Sequence, residues 1–276
     1  LNDFERVEML AKAGVTNWLI DMANGYMHKA IGESVAHARE NETDEILAFA
    51  TSAVRDAKNG TAIIAEINEK HGIELEILEG DEEATMTFLA VRRWLGWSAG
   101  KLLVLDIGGG SLEVAAGVDE NPEATLSLPL GAARLTREFL SGDPYSSKSI
   151  KSLEKHVEES LSKSLPKILK SHDANHFVAT SKTFRTLARI TANWYGDNPK
   201  FLEKDSLEKA IPRLAEMTDK GRAELPGVSI SRARQIVAGA VVAFSVMDYL
   251  DVSEVEICPW ALREGIVLRR LDWLSN

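Results

Sequence analysis

The amino-acid sequence predicts an α/β protein of two domains, similar in plan and facing each other across a cleft. Three observations lead there. Residues 101–117, KLLVLDIGGGSLEVAAG, read as a strand, a glycine turn and a second strand. Short apolar runs alternate with amphipathic stretches of helical period along the rest of the chain. Residues 47–55, LAFATSAVR, are echoed by 176–185, HFVATSKTFR, so that once in each half a strand meets Ala-Thr-Ser and continues as an arginine-bearing helix.

The glycine turn carries the chemistry. Gly108, Gly109 and Gly110 have no side chains to keep a ligand off the backbone, and they can take positive φ, so their successive N–H groups can form an anion-binding nest. Ser111 adds a hydroxyl donor, and carboxylates flank the turn as Asp106 before it and Glu113 after it. Ser111 and Glu113 share one face of an extended strand, which sets an acid beside the anion unless a divalent cation lies between them. The competing reading is an ordinary glycine-rich hairpin with surface acids, because the stretch is neither a Walker A loop nor a G-x-G-x-x-G fingerprint.

With 276 residues and 45% hydrophobic content, the chain is long enough for two cores. The single cysteine, Cys258, excludes an intrachain disulfide framework and fits a reducing, cytoplasmic compartment. The first residues alternate charged and apolar side chains, without the basic start and apolar block of a signal peptide. The longest apolar run, 236–247, is too short to cross a bilayer and reads as a buried helix. A net charge of −10 disfavours nucleic acid and anionic membranes as partners, but it allows a polyanionic substrate where positive charge is gathered locally.

In chain order, a helix is expected at 27–40, with Met27, Ile31, Val35 and Ala38 on one face, and a strand at 44–49. Thr51, Ser52 and Arg55 follow at a strand-to-helix turn, where they can bind an anion or serve as a plain helix cap. A helix at 61–70 and a strand at 73–77 lead to a helix that starts with Asp81, Glu82 and Glu83 and runs to Trp94. Those acids suit the helix dipole, and a catalytic role requires one of them to face the glycine turn. Residues 94–100 read as a linker. Beyond the hairpin come a strand at 126–130, a turn and helix from 131, and one long helix at 149–170. After the second Ala-Thr-Ser turn come a helix at 204–218 and a long helix at 229–249, then a strand at 255–258 and a closing helix at 260–274. Arg232 and Arg234 fall in the first turns of the 229–249 helix, where cations oppose the dipole, so they read as holding an anionic partner.

Several segments together resemble a family. ATSAVRDA (50–57), EGDEEA (79–84), DIGGGSLEV (106–114), LPLGAARLT (128–136), ATSKTFRTLAR (179–189), QIVAGA (235–240) and CPWALREG (258–265) occur in the order found in the exopolyphosphatase/guanosine pentaphosphatase family, Ppx/GppA. The resemblance implies two ribonuclease-H-like domains of the actin, Hsp70 and sugar kinase superfamily, with the active site in the cleft between them. Residues 1–99 are the expected first domain, lacking its first strand and phosphate loop. Residues 100–276 are the second, with the last helix free to pack back on the first.

By the same resemblance, Glu83 is the base that activates water, and Asp106 and Glu113 position Mg²⁺, or Mn²⁺ in its place. Gly108, Gly109, Gly110 and Ser111 form the phosphate loop. Arg55 contacts phosphate with Thr51 and Ser52, and Lys182, Arg185, Arg232 and Arg234 are further candidates. The expected reaction is release of terminal phosphate from inorganic polyphosphate. Guanosine pentaphosphate (pppGpp) hydrolysis and a non-catalytic polyphosphate or (p)ppGpp sensor are the alternatives. The expected protein is a cytoplasmic homodimer with no nucleic-acid or membrane partner. Two departures stand out. No good match to the family's D-x-G-S-N loop is present, since residues 21–25, DMANG, are a poor substitute. Ser181, Lys182 and Thr183 stand where many relatives have a G-G-T turn.

Overall fold

A computed structural model of the chain describes residues 28–40, 46–170 and 172–275, so Met27, Asp44, Glu45 and the 21–25 stretch lie outside the described residues. The chain divides into two compact units, Leu1–Glu79 and Gly80–Asn276. Each has its own core.

In the first unit, helix α1 (His28–Glu40) precedes a short strand β1 (Ala48–Ala50), a single helical turn α2 (Ser52–Arg55), helix α3 (Gly60–His71) and strand β2 (Leu75–Ile77). β1 and β2 pair in parallel, Ala48 opposite Leu75 and Ala50 opposite Ile77. Ile31 and Val35 from α1 meet Ile63 and Ile67 from α3 and Ile73, as helical spacing requires. α3 ends at Gly72, whose φ of 61° closes the helix in the left-handed conformation glycine favours.

The second unit is built on a mixed six-stranded sheet. Its strands are β3 (Leu102–Ile107), β4 (Leu112–Gly117), β5 (Ala124–Leu128), β6 (His176–Thr180), β7 (Phe201–Glu203) and β8 (Glu254–Ile257). They lie in the order β5-β4-β3-β6-β8-β7. β3, β6 and β8 are parallel neighbours, and β4, β5 and β7 are antiparallel additions. Alternation along β3 divides the core. Leu103, Leu105 and Ile107 face the larger cluster, while Leu102 and Val104 face a smaller one with Ala115, Val178 and Cys258. The smaller cluster is capped by α4 (Gly80–Leu95), through Ala84, Phe88 and Val91. Thus α4, which the sequence reading sets before its boundary at 99/100, packs on strands of the second unit.

The larger cluster lies under α5 (Ala132–Phe139), α6 (Ser147–Ser164), α8 (Ser181–Tyr195), α9 (Lys204–Glu216) and α11 (Ile236–Tyr249). α11 is buried over almost its whole length, as its unbroken apolar run predicts. The short helices α7 (Lys167–Lys170) and α10 (Asp219–Ala223) link these, and α12 (Leu262–Ser275) packs along α4. A Cβ on Gly265 of α12 would lie 1.9 Å from the Met86 carbonyl oxygen, so only glycine permits this approach. No helix among the described residues is long and apolar enough to cross a membrane.

Two expectations are corrected. The helix expected at 149–170 is two helices, because Pro166 denies the ladder an N–H and holds Leu165 extended, at φ −75° and ψ 115°. The long helix expected at 229–249 is a 3₁₀ turn (Ile230–Arg232) followed by α11 starting at Ile236, so Arg232 and Arg234 precede the helix and do not load its positive end. Arg234 is instead exposed and ion-paired to Asp219 at 3.2 Å, while its carbonyl accepts from the Tyr145 hydroxyl at 2.8 Å. That cluster surrounds Arg222, whose guanidinium is fully buried over the Tyr145 ring and donates to Leu214 O at 3.1 Å and Asp143 Oδ1 at 3.2 Å. Strand β7, three residues long, carries too little pattern for a sequence reading to reveal it.

Candidate active site

The site follows from strand alternation carried two residues past the small core. Leu102 and Val104 of β3 face α4, so Asp106 faces it too; Ala115 of β4 puts Glu113 on that face, and Val178 of β6 puts Thr180 there. Register then lines these groups up across the sheet. Ser127 pairs with Glu113, Glu113 with Asp106, and Asp106 with Thr180, one residue from each of four adjacent strands. The Ser127 hydroxyl donates to Glu113 Oε1 at 2.9 Å, and Ser111 also hydrogen-bonds Glu113. The Thr180 hydroxyl donates to Trp260 O at 2.7 Å, and the Thr183 hydroxyl donates to Ile107 O at 3.1 Å.

Of the three acids at the start of α4, only Glu83 is buried; Asp81 and Glu82 are exposed, and Asp81 accepts from the Thr125 hydroxyl. Glu83 acts electrostatically on both strand carboxyls. Burial, with the repulsion of Glu83 behind it, pushes Asp106 up to about 7, while nearby Arg185 pulls it back. Burial, then Asp106, then Glu83 push Glu113 up to about 8 against the two serine hydrogen bonds. Three carboxyls share one low-dielectric corner, an arrangement that a cation would relieve.

The turn between β3 and β4 closes with the Gly108 N–H on Ser111 O at 2.9 Å. None of its glycines adopts positive φ, which corrects the left-handed nest expected from the sequence. The geometry comes from outside the turn. The first N–H groups of α5 bond its carbonyls, Ala132 to Gly108 O, and Ala133 and Arg134 to Gly109 O, each at 3.0 Å. A Cβ on Gly108 or Gly109 would meet nothing nearer than 3.6 or 3.9 Å. Neither dihedrals nor packing demands glycine at these two positions, so the open side of the backbone is what the missing side chains preserve.

Lys182 and Arg232 come together, lining one small cavity with Thr183, Thr186, Gln235 and Ile236. Lys182 follows Ser181, a non-glycine residue at φ 82°. Thr51, Ser52 and Arg55 belong to the first unit. There Thr51 makes no side-chain cap, Ser52 is buried, and Arg55 donates to Leu78 O at 2.6 Å and lies 3.6 Å from Asp56. Sequence reasoning missed Ser127 and Thr180 as members of the row. Their signal is positional, a polar residue at a strand-end step where the inward side chains are otherwise apolar.

A family model for the Ppx/GppA phosphatase family matches residues 6–273. The chain belongs to the Ppx/GppA family. Among its relatives, this Ppx/GppA chain is 51% identical over 232 residues to Exopolyphosphatase 1 of Mycobacterium tuberculosis (strain ATCC 25618 / H37Rv), covering 83% of this chain and 67% of that protein. Exopolyphosphatase 1 of Mycobacterium leprae (strain TN) is 48% identical over 246 residues, 88% of this chain and 73% of that protein. The Aquifex aeolicus Ppx/GppA family member superposes with a TM-score of 0.73 at 24% identity, over 91% of this chain and 82% of its own. An exopolyphosphatase from Cytophaga hutchinsonii ATCC 33406 gives 0.77 at 23%, over 89% and 80%. At these identities the two structures show the fold, the ribonuclease-H-like α/β class that the motifs imply.

Proposed function

We propose that this chain is an exopolyphosphatase, a phosphoanhydride hydrolase that removes terminal orthophosphate from inorganic polyphosphate. One observation carries the reading: a buried triad of carboxyls, Glu83, Asp106 and Glu113, adjoins a turn whose Gly108 and Gly109 are kept free of side chains for no reason internal to the fold. A divalent cation fits this donor set. The two strand carboxyls are paired neighbours; burial and then Glu83 raise Asp106, burial, then Asp106, then Glu83 raise Glu113, and Arg185 offsets that charge on Asp106. No group of three or more acidic, histidine or cysteine side chains among the described residues could enclose an ion. The ion we infer is therefore Mg²⁺, or Mn²⁺ in its place, a hard cation that carboxylate oxygens suit and that needs no dedicated protein cage.

When bound, the metal neutralises charge on the phosphoryl oxygens and on the leaving chain. Asp106 and Glu113 would hold it, and Ser127 and Ser111 fix the orientation of Glu113. The Gly109 and Gly110 N–H groups bind the terminal phosphoryl group, while the single Ser111 hydroxyl proton is given to Glu113. Glu83 accepts a proton from water as its oxygen attacks phosphorus, and the P–O bond to the next phosphate breaks, with the bridging oxygen leaving on the shortened chain. Lys182 and Arg232 are assigned to the phosphates that follow. Arg55, with Thr51 and Ser52, is the further phosphate-contact candidate in the first unit. We also infer a cytoplasmic homodimer, with pppGpp as the competing substrate.

The test is phosphate release from long-chain polyphosphate and from pppGpp, side by side, with Mg²⁺ and with chelator, for the unaltered chain and for Glu83→Gln. Metal-dependent release from polyphosphate that the variant lacks is expected. Equal turnover by Glu83→Gln would refute the assignment of the base, and no release from either substrate would refute the enzyme.

A further inference from the structure

We infer that Gly131 and the first turn of α5 position the phosphate loop, acting through it and not on the substrate. The inference rests on the proposed role of that loop. The first N–H groups of a helix have no partner within the helix, and in α5 all three bond carbonyls of the glycine turn: Ala132 to Gly108 O, and Ala133 and Arg134 to Gly109 O. A peptide is planar and its C=O and N–H point to opposite sides. Tying Gly108 O to α5 therefore turns the Gly109 N–H away from α5, and tying Gly109 O does the same for the Gly110 N–H. No backbone carbonyl among the described residues accepts from either group. Gly109, at the tip, is exposed. The helix end is thus spent on holding the peptides whose other side offers donors to an anion.

This grip requires contact between two backbones, and Gly131 is what permits it. Its dihedrals, φ −73° and ψ 146°, suit any residue, so its identity is not a matter of conformation. A Cβ there would stand 2.2 Å from the Gly110 carbonyl carbon, 2.3 Å from the Ser111 N and 2.4 Å from the Gly110 N. Those are loop backbone atoms, with no flexible side chain to give way. Any side chain at 131 has to part α5 from the turn and break the three bonds that aim the donors. Asp106 and Glu113 are held by strand pairing, so the metal ligands need not follow.

The experiment uses the full chain, unaltered and as Gly131→Ala and Ala132→Pro. Proline is accepted at the first helical position and would remove the single N–H bonded to Gly108 O. The readouts are affinity for inorganic phosphate by titration calorimetry, kcat and KM on polyphosphate, and the rise in Tm on adding Mg²⁺ without phosphate. Gly131→Ala is expected to bind phosphate at least about tenfold more weakly, and Ala132→Pro about threefold to tenfold more weakly, the range for aimed hydrogen bonds to an anion. In both, kcat falls while the Mg²⁺-induced rise in Tm is kept. Unchanged phosphate affinity in the folded variants would overturn the inference. So would joint loss of phosphate affinity and metal response, or failure of both variants to fold, since the contact would then serve the fold and not the loop. If Gly131→Ala alone fails to fold, Ala132→Pro decides. An unaltered chain that neither binds phosphate nor releases it from polyphosphate would overturn the functional reading instead.

Discussion

Replacing Glu113 by glutamine is expected to stabilise the metal-free protein at pH 8 while destroying its response to metal. The Glu113 carboxyl is buried, and burial, then Asp106, then Glu83 raise it from 4.5 to about 8. Across that window the folded chain holds a proton that the unfolded chain has released, so stability falls as pH rises from the ordinary carboxylate range to about 8. Full ionisation corresponds to roughly 4–5 kcal/mol held against the folded state. Glutamine does not ionise and still accepts from the Ser127 hydroxyl. Thermal melts in chelator at pH 5, 6, 7 and 8 would compare the two proteins. The gap should be near zero at pH 5 and widen to about 5–10 °C by pH 8, the shift that a few kcal/mol produces in a chain of this size. With Mg²⁺ the order should reverse at pH 8, because metal binding takes up the ionised carboxyl and displaces its proton. A gap that stays constant with pH, or a variant less stable than its parent at pH 8 in chelator, would refute the reasoning.

Other expectations are as direct. Glu83→Gln should lower kcat by at least about a hundredfold, the range of general-base catalysis, with polyphosphate affinity kept in a binding titration. Ser181 sits at φ 82°, so Ser181→Gly should be more stable than Ser181→Ala in urea unfolding, the reverse of the usual order of glycine and alanine. Arg222→Ala should cost about 3–5 kcal/mol in the same assay, because it leaves Asp143 and Asp219 without the buried guanidinium they hold.

The sequence shows most clearly the chemistry that lies within a few residues of itself. Asp106, the glycine turn, Ser111 and Glu113 are one hairpin; period two puts Ser111 and Glu113 on one face, and the pairing of the hairpin's two strands sets Asp106 beside Glu113. Glu83 is legible only as one acid of three, since choosing it requires knowing which side of α4 meets β3 and β4. Ser127 and Thr180 become visible only through register, a property of paired strands and not of any one of them. Gly131 stands in a conspicuous motif, but its reason is an approach between two backbones that no local pattern encodes. Pro166 is the opposite case: its effect was present in the sequence as a missing N–H, and the amphipathic period running through it concealed the break.

The row Ser127, Glu113, Asp106, Thr180 takes one member from each of four neighbouring strands of the larger unit. No loop can drift and carry a member away, and no member can be lost while the ladder between strands is intact. The capacity to hold a cation is therefore a gauge of that ladder. On heating, the response to Mg²⁺ and the core should fail at one temperature, whereas activity lost ahead of the fold would point to the glycine turn, to Glu83 on α4 or to the first unit.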